Sequence, residues 1–302
     1  MARDRLTLSR LGEDAFLGRL LAGAHGGNGL VTGPGDDCAV ARWARGSDCV
    51  MKTDCVVEGR HYTAETPPAL VGRKALARAV SDFAAMGARP LHALVTIFSP
   101  PECPAAYWRD LYRGLFRAAK GWGISIAGGE LSAAPVRAVS VALVGGVPPG
   151  GAILRSGGNP GDFLYVTGRL GGSSCGHHLR FEPRLAEGEW LARNRFARAM
   201  IDLSDGLAAD LPRLARASGC DFRADRTRLP RRRGATAGAA WSEGEDYELL
   251  VACRARDAVR MERAWSRAFP RTPLTRIGEL VAGTAGPGGG FDHFRVDSRA
   301  GS

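Results

Sequence analysis

Apolar and polar positions follow two rhythms along this chain. Spacings of three and four, as in Phe16, Leu17, Leu20 and Leu21, predict an amphipathic helix over 13–23 that stops at Gly23. The same rhythm predicts helices over 67–86, 104–122, 206–218 and 257–269. In the helix over 104–122, Trp108, Leu111, Leu115 and Phe116 are expected to face the core. Short apolar and β-branched runs predict strands over 49–57, 91–98, 124–127, 137–147, 163–167, 247–253 and 274–280, with a further short strand near Ala39.

Strands and helices alternate in both halves, which places the chain in the α/β (α+β) class. At about 150 residues per domain, 302 residues suggest two domains. The run from Val147 to Gly151, with two prolines and two glycines, is the best linker by composition. The division expected is therefore 1–148 and 149–302. No short-period repeat or low-complexity tract interrupts either half.

Charge modifies this picture only slightly. The formal net charge is +10, but only three lysines occur (Lys52, Lys74 and Lys120), so arginines spread over the whole length carry the excess. The densest cluster, Arg231 to Arg233, lies between Pro230 and Gly234 with no nucleic-acid-binding motif around it. Solvated arginines are the favoured reading and attraction of polyphosphate ligands the second, so no nucleic-acid partner is expected. Seven cysteines form no CxxC pair, which argues against a zinc site and a disulfide framework and for a reducing compartment. The N-terminus has no apolar signal region, and the longest uncharged stretch, Ala138 to Leu154, is broken by glycine and proline pairs. A cytoplasmic protein without a membrane partner is expected.

The strongest chemical signal is acidic. Carboxylates recur among glycines or small residues: Asp36-Asp37, Asp54 after Thr53, Asp82 after Ser81, Glu130 after Gly128-Gly129, Asp202 and Asp205 around Ser204, and Glu245-Asp246 after Gly244. Asp82 and Asp202 stand at the ends of apolar runs, where a charge is costly unless paired or bound to a cation. Several hard oxygen ligands at element ends suit Mg²⁺. Any one of them could instead cap a helix, Asp205 before Gly206-Leu207 being the clearest case, but six such sites in one chain make that account less able to cover them all. Known phosphate cradles are absent: no lysine follows a glycine as in a Walker A loop, no GxGxxG occurs, and neither HRD nor DFG is present. His61, close behind Asp54 and Glu58, reads equally as a site residue or as a structural histidine.

The segments Gly33–Ala39, Lys52–Tyr62, Gly72–Ala77, Ser81–Ala88, Arg155–Asp162, Tyr165–Gly168, Ala199–Leu207, Gly244–Leu249 and Gly290–Phe294 resemble, in order, the motifs of the thiamine-monophosphate kinases. That family is part of a wider superfamily of aminoimidazole-ribonucleotide synthetase-like ATP enzymes. The resemblance implies the two-domain fold of that superfamily, with an N-terminal ATP- and metal-binding domain that dimerises through its β-sheet and a C-terminal α/β domain. It implies a kinase that uses ATP to convert thiamine monophosphate to thiamine diphosphate, the last step in making that cofactor, with several Mg²⁺ ions at the phosphates.

Carried over by motif, Asp37, Asp54, Asp82, Asp202 and Asp205 would hold the metals, with Thr53 and Glu130 as further ligands. Asp54, Asp82, Asp202 and Asp205 would be the catalytic members. Gly129, Glu130, Arg155 and Ser204 would contact ATP, with Tyr112 near the adenosine. His61, Glu245 and Phe291 would contact thiamine monophosphate. Two departures stand out. The family's Gly-Gly-Asp-Thr is here Gly128-Gly129-Glu130-Leu131, one methylene longer and without the hydroxyl, and Glu243 adds an acidic neighbour before Gly244-Glu245. Lys52 adds a cation beside Thr53 and Asp54 where small polar residues are common in the family.

The implied chemistry needs no general base. A phosphate monoester has a second pKa near 6, so the acceptor is largely dianionic at neutral pH. The obstacle is repulsion between two polyanions, which suits a site rich in carboxylates and cations. No histidine or aspartate stands apart as a phospho-acceptor, which favours direct transfer. The alternatives are another ATP-using enzyme of the superfamily and a nucleotide-binding protein whose turnover was lost through Glu130 and Leu131.

Overall fold

The computed structural model describes residues 30–32, 36–43, 46–286 and 288. The expected helix over 13–23 and the C-terminal segment with Phe291 lie outside them. Two sheets organise the described chain. The first contains β1 (Leu30–Thr32), β2 (Ala39–Trp43), β3 (Ser47–Val57), β4 (Arg89–Ser99), β5 (Ser125–Ala133) and β6 (Ala138–Val147), in the order β1-β2-β3-β6-β4-β5. All its pairings are antiparallel except β4 with β5. A parallel pair needs a crossover, which α2 (Ala105–Trp122) supplies. The second sheet contains β7 (Phe163–Thr167), β8 (Ala197–Asp202), β9 (Asp221–Ala224), β10 (Leu249–Cys253) and β11 (Leu274–Val281), antiparallel in the order β8-β10-β7-β11-β9.

Helix α1 (Pro68–Ala85) is the axis of the molecule, and 13 of its residues are buried. Val71, Ala75, Leu76, Val80 and Phe83 join the core beneath the first sheet with Leu111 and Leu115 of α2. Gly72 and Gly114 let the two helices approach so closely that a Cβ at either would strike a carbonyl oxygen of the other. On another side, Ala84 and Ala85 join a core with Tyr165, Met200 and Val251 of the second sheet. A helix that is apolar on more than one face must be enclosed, and both sheets enclose this one.

The second sheet is covered on both faces. Helix α4 (Leu207–Ala217) packs Leu207, Leu211 and Leu214 against Leu164, Leu250 and Ile277. On the opposite face, α3 (Leu185–Arg193) and α6 (Ala258–Ala268) contribute Leu191, Met261 and Trp265. A short helix, α5 (Ala237–Ser242), precedes the Glu245 loop.

The elements expected from periodicity in the described region are present, with shifted ends. β5 runs on to Ala133 rather than stopping at 127, because pairing with β4 carries its glycines and exposed residues. β10 starts at Leu249 rather than Tyr247, whose backbone has φ 51°. β1, α3, α5, β8 and β9 were not expected; they are short, and all but β1 have pairing or packing partners distant in sequence. Phe116 was expected in the core but is half exposed, its ring beside Tyr112; the buried stripe of α2 runs through Leu111, Leu115 and Ala119. Among the described residues no helix is long and apolar enough to cross a membrane.

Candidate active site

On α1, Lys74, Arg78, Ser81 and Asp82 follow one another at i, i+4, i+7 and i+8, a single polar stripe on a buried helix. Together they grip three other segments. Lys74 Nζ reaches Glu245 at 2.6 Å, and Arg78 Nε donates to Asp54 Oδ2 at 3.2 Å. Ser81 Oγ donates to Asp202 Oδ2 at 2.6 Å, and Asp82 accepts from Lys52 Nζ at 2.9 Å. The helix thus gathers β3, the end of β8 and the 243–246 loop onto one face.

Three carboxylates meet at its C-terminal end. Asp37, Asp82 and Asp202 are buried, and each offers an oxygen within 4.8 Å of the others. Asp37 lies just before β2 and is held by Arg155, whose Nε and Nη2 donate to its two oxygens at 3.2 and 2.8 Å. Asp36 accepts the Arg155 backbone N–H. Asp202 ends β8 opposite Leu249. Each member of the triad therefore has a donor fixing its orientation: Arg155, Lys52 or Ser81.

Burial of so many acids raises their proton affinity. Asp202 is pushed up to about 7, by burial first and the Asp37 charge second. Asp82 rises well above the ordinary range through burial, with Lys52 opposing and Asp202 adding to the rise. Burial, then Asp37, pushes Asp36 up to about 6. Burial works against the Lys52 ammonium, but Asp82 and Asp54 outweigh it and hold the lysine protonated. Converging buried oxygens that need either a proton or a cation form a hard donor set, which fits Mg²⁺.

Asp205 sits on the turn into α4, where Gly206 has φ 93°. It pairs with Arg213, which also holds Asp210, and its backbone N–H donates to Asp210 Oδ2 at 3.0 Å. Burial, then Asp205, pushes Asp210 up to about 8. Ser204 lies between Asp202 and Asp205, and its carbonyl accepts the Glu245 N–H at 2.7 Å. His61 is buried in the turn after β3, and its Nδ1 accepts the Val57 N–H at 3.0 Å, so the neutral ring carries its proton on Nε2. Its backbone carbonyl meets Lys74, which also meets Glu245.

Two expected ligands lie elsewhere. Thr53 is next to Asp54 in sequence, but the pleat turns it to the other face of β3, where its Oγ1 is 3.5 Å from Ser140 Oγ. Cross-strand partners extend this outer face through Ser140 and Thr96 to Glu130. Glu130 is exposed on the edge strand, with its carboxylate accepting the Leu131 N–H. In a single chain, then, Thr53 and Glu130 do not join the triad. Gly129 is on the same edge strand, and Tyr112 packs against the first core from α2.

The sequence reading gave no role to Lys74, Arg78, Ser81, Asp210 or Arg213. The polar stripe at helical spacing inside 71–86 was the available signal for the first three.

A family model described as AIR synthase related protein, N-terminal domain, matches residues 35–147. The thiamine-monophosphate kinase of Rhodopirellula baltica is 35% identical over 293 residues, covering 90% of each chain. That of Mycobacterium tuberculosis is 36% identical over 281 residues, covering 84% of each. Among solved structures, AaThiL complexed with AMPPCP and TMP superposes with a TM-score of 0.81 at 26% identity, covering 96% of each chain.

Proposed function

The chain belongs to the thiamine-monophosphate kinase family and catalyses the ATP-dependent phosphorylation of thiamine monophosphate; we propose that the phosphoryl group passes directly and in line at the Asp37, Asp82 and Asp202 cluster. The observation that carries this reading is the convergence of these three buried carboxylates, each fixed by its own donor. Several Mg²⁺ ions, held by the triad with Asp54 and Asp205, would supply charge neutralisation at the phosphates.

The chain's own residues position the reactants. Arg155, which holds Asp37, and Ser204 would contact ATP. His61 and Glu245, brought together by Lys74, would contact thiamine monophosphate. No residue needs to take a proton from the acceptor, because its phosphate is already largely dianionic at neutral pH. Lys52, Arg78 and Arg155 interleave with the carboxylates and keep the acidic site from repelling an incoming polyanion.

We also propose a homodimer formed through the outer face of the first sheet. Met51 and Leu94 are exposed on that face, and Leu131 on the edge strand. Thr53 and Glu130 would then enter the interface, and there they would take up metal and nucleotide binding, with Gly129 and Tyr112 serving the nucleotide. We propose two domains, 1–148 and 149–302; the end of the six-stranded sheet at Val147 and the start of the five-stranded sheet at Phe163 support that division. A cytoplasmic location follows from ATP as co-substrate.

The direct test is to follow ADP release and thiamine diphosphate formation with thiamine monophosphate, free thiamine and another phosphate monoester as acceptors. Turnover with thiamine monophosphate alone is expected. Preference for another acceptor would move the chain to a different ATP enzyme of the superfamily, and nucleotide binding without turnover would make it a binding protein.

A further inference from the structure

We propose that Lys74 is the positioning residue for the thiamine-monophosphate end of the site, acting through Glu245. The inference rests on the reading that His61 and Glu245 contact that substrate. Lys74 is completely buried. An ammonium has three donors, and here three acceptors meet them: the His61 carbonyl oxygen at 2.6 Å, His178 Nδ1 at 2.7 Å and Glu245 Oε1 at 2.6 Å. His178 Nδ1 also lies 3.3 Å from Glu245 Oε2.

Folding alone gives little reason for a charge at this position. The neighbours of Lys74 on α1 include Val71, Ala75 and Ala77, all buried, and an apolar side chain would pack among them without the cost of desolvating an ammonium. What the lysine adds is a fixed place for Glu245. That residue has φ 64° and Tyr247 has φ 51°, left-handed conformations that side-chain-bearing residues adopt only when their surroundings impose them. The backbone here is pinned by Glu245 N–H to Ser204 O at 2.7 Å and Tyr247 N–H to Leu203 O at 2.9 Å. Tyr247 also stacks on Phe181 with ring centroids 3.9 Å apart.

The Glu245 side chain is 31% exposed while Lys74 is fully enclosed. Lys74 therefore grips the carboxylate from behind and leaves its other side open to a ligand. A carboxylate held this way, with one side open, suits contact with the cationic thiazolium ring of the substrate. Through the His61 carbonyl, the same ammonium fixes the turn that carries the imidazole.

The test is a double-mutant cycle with Lys74→Met, Glu245→Gln and both together, reading KM for thiamine monophosphate, KM for ATP, kcat and thermal stability. Lys74→Met is expected to raise KM for thiamine monophosphate about tenfold or more, with kcat and KM for ATP changed less than about threefold. The double variant is expected to be no worse than Glu245→Gln alone. His178→Ala removes a half-buried partner, so the fold should survive. It is expected to raise the same KM by a smaller factor, and it reads the same cycle with Glu245→Gln if Lys74→Met does not fold. Effects of Lys74→Met and Glu245→Gln that multiply, or equal rises in both KM values, would overturn the role of Lys74 while leaving Glu245 a substrate contact. An unchanged KM in Glu245→Gln would overturn the reading of Glu245, and this proposal with it.

Discussion

Ser81 Oγ donates a 2.6 Å hydrogen bond to Asp202 Oδ2, and both residues are buried. Ser81 belongs to the helix enclosed between the two sheets, and Asp202 is the last residue of β8 in the second sheet. This bond holds the second sheet's carboxylate against Asp82 of the first half, so the triad exists only while both halves are packed on α1.

Replacing Asp202 or Asp54 by Asn removes one negative charge without changing volume. Each variant is expected to lose at least ~100-fold in kcat while remaining folded. Asp202→Asn relieves repulsion within the triad, so its melting temperature without divalent cations should be unchanged or higher. Steady-state kinetics beside a thermal scan check both points, and wild-type turnover in either variant would show the cluster to be misplaced.

The raised acids set a pH dependence. Folded Asp202, at about 7, keeps a proton over a range where the unfolded carboxyl, near 3.8, has lost it. Its contribution to stability is therefore fully present below the unfolded value and is lost as pH rises through about 7. Asp210, at about 8, has the same sign and extends the loss upward. Without divalent cations the melting temperature should fall across this window. Mg²⁺, which binds the ionised folded site, should raise it more at about pH 8 than at about pH 5.5. Equal Mg²⁺ effects at the two pH values would argue against cation binding at these carboxylates.

Leu94 is 51% exposed on the outer face of the first sheet. A glutamate there would place a charge at the centre of the proposed dimer face, where charges are depleted. Light scattering should report a dimer for the parent protein and a monomer for Leu94→Glu, with turnover lost in the monomer. A parent protein that is monomeric at micromolar concentration would remove the dimer from the mechanism.

Glu130 lies on that outer face and Asp202 on the inner side, so a dimeric site can draw them from different copies. Glu130→Asp is expected to preserve or raise Mg²⁺-dependent activity and Glu130→Gln to lower it, since Mg²⁺ accepts little deviation in ligand distance. Mixing Glu130→Gln with Asp202→Asn and allowing subunit exchange should restore about a quarter of the sites, because each mixed dimer keeps one site free of both changes. If mixing restores nothing although each variant alone is impaired, Glu130 does not serve a site shared between copies.

Several features could be read from the sequence because local physics fixes them. The helices over 67–86 and 257–269 follow from apolar spacing, and Phe163–Thr167 from a short β-branched and aromatic run. Asp82 and Asp202 stood out because a charge at the end of an apolar run requires a partner. Tertiary structure decided which of the marked residues meet. Thr53 and Asp54 are neighbours in the chain but sit on opposite faces of β3, since a strand alternates its side chains and only packing chooses the inward face. Lys74 and Glu245 are far apart in sequence, and neither the lysine's burial nor the loop's left-handed backbone shows in local composition. Their contact depends on α1 being enclosed by both sheets, and that enclosure comes from long-range packing rather than from any local periodicity.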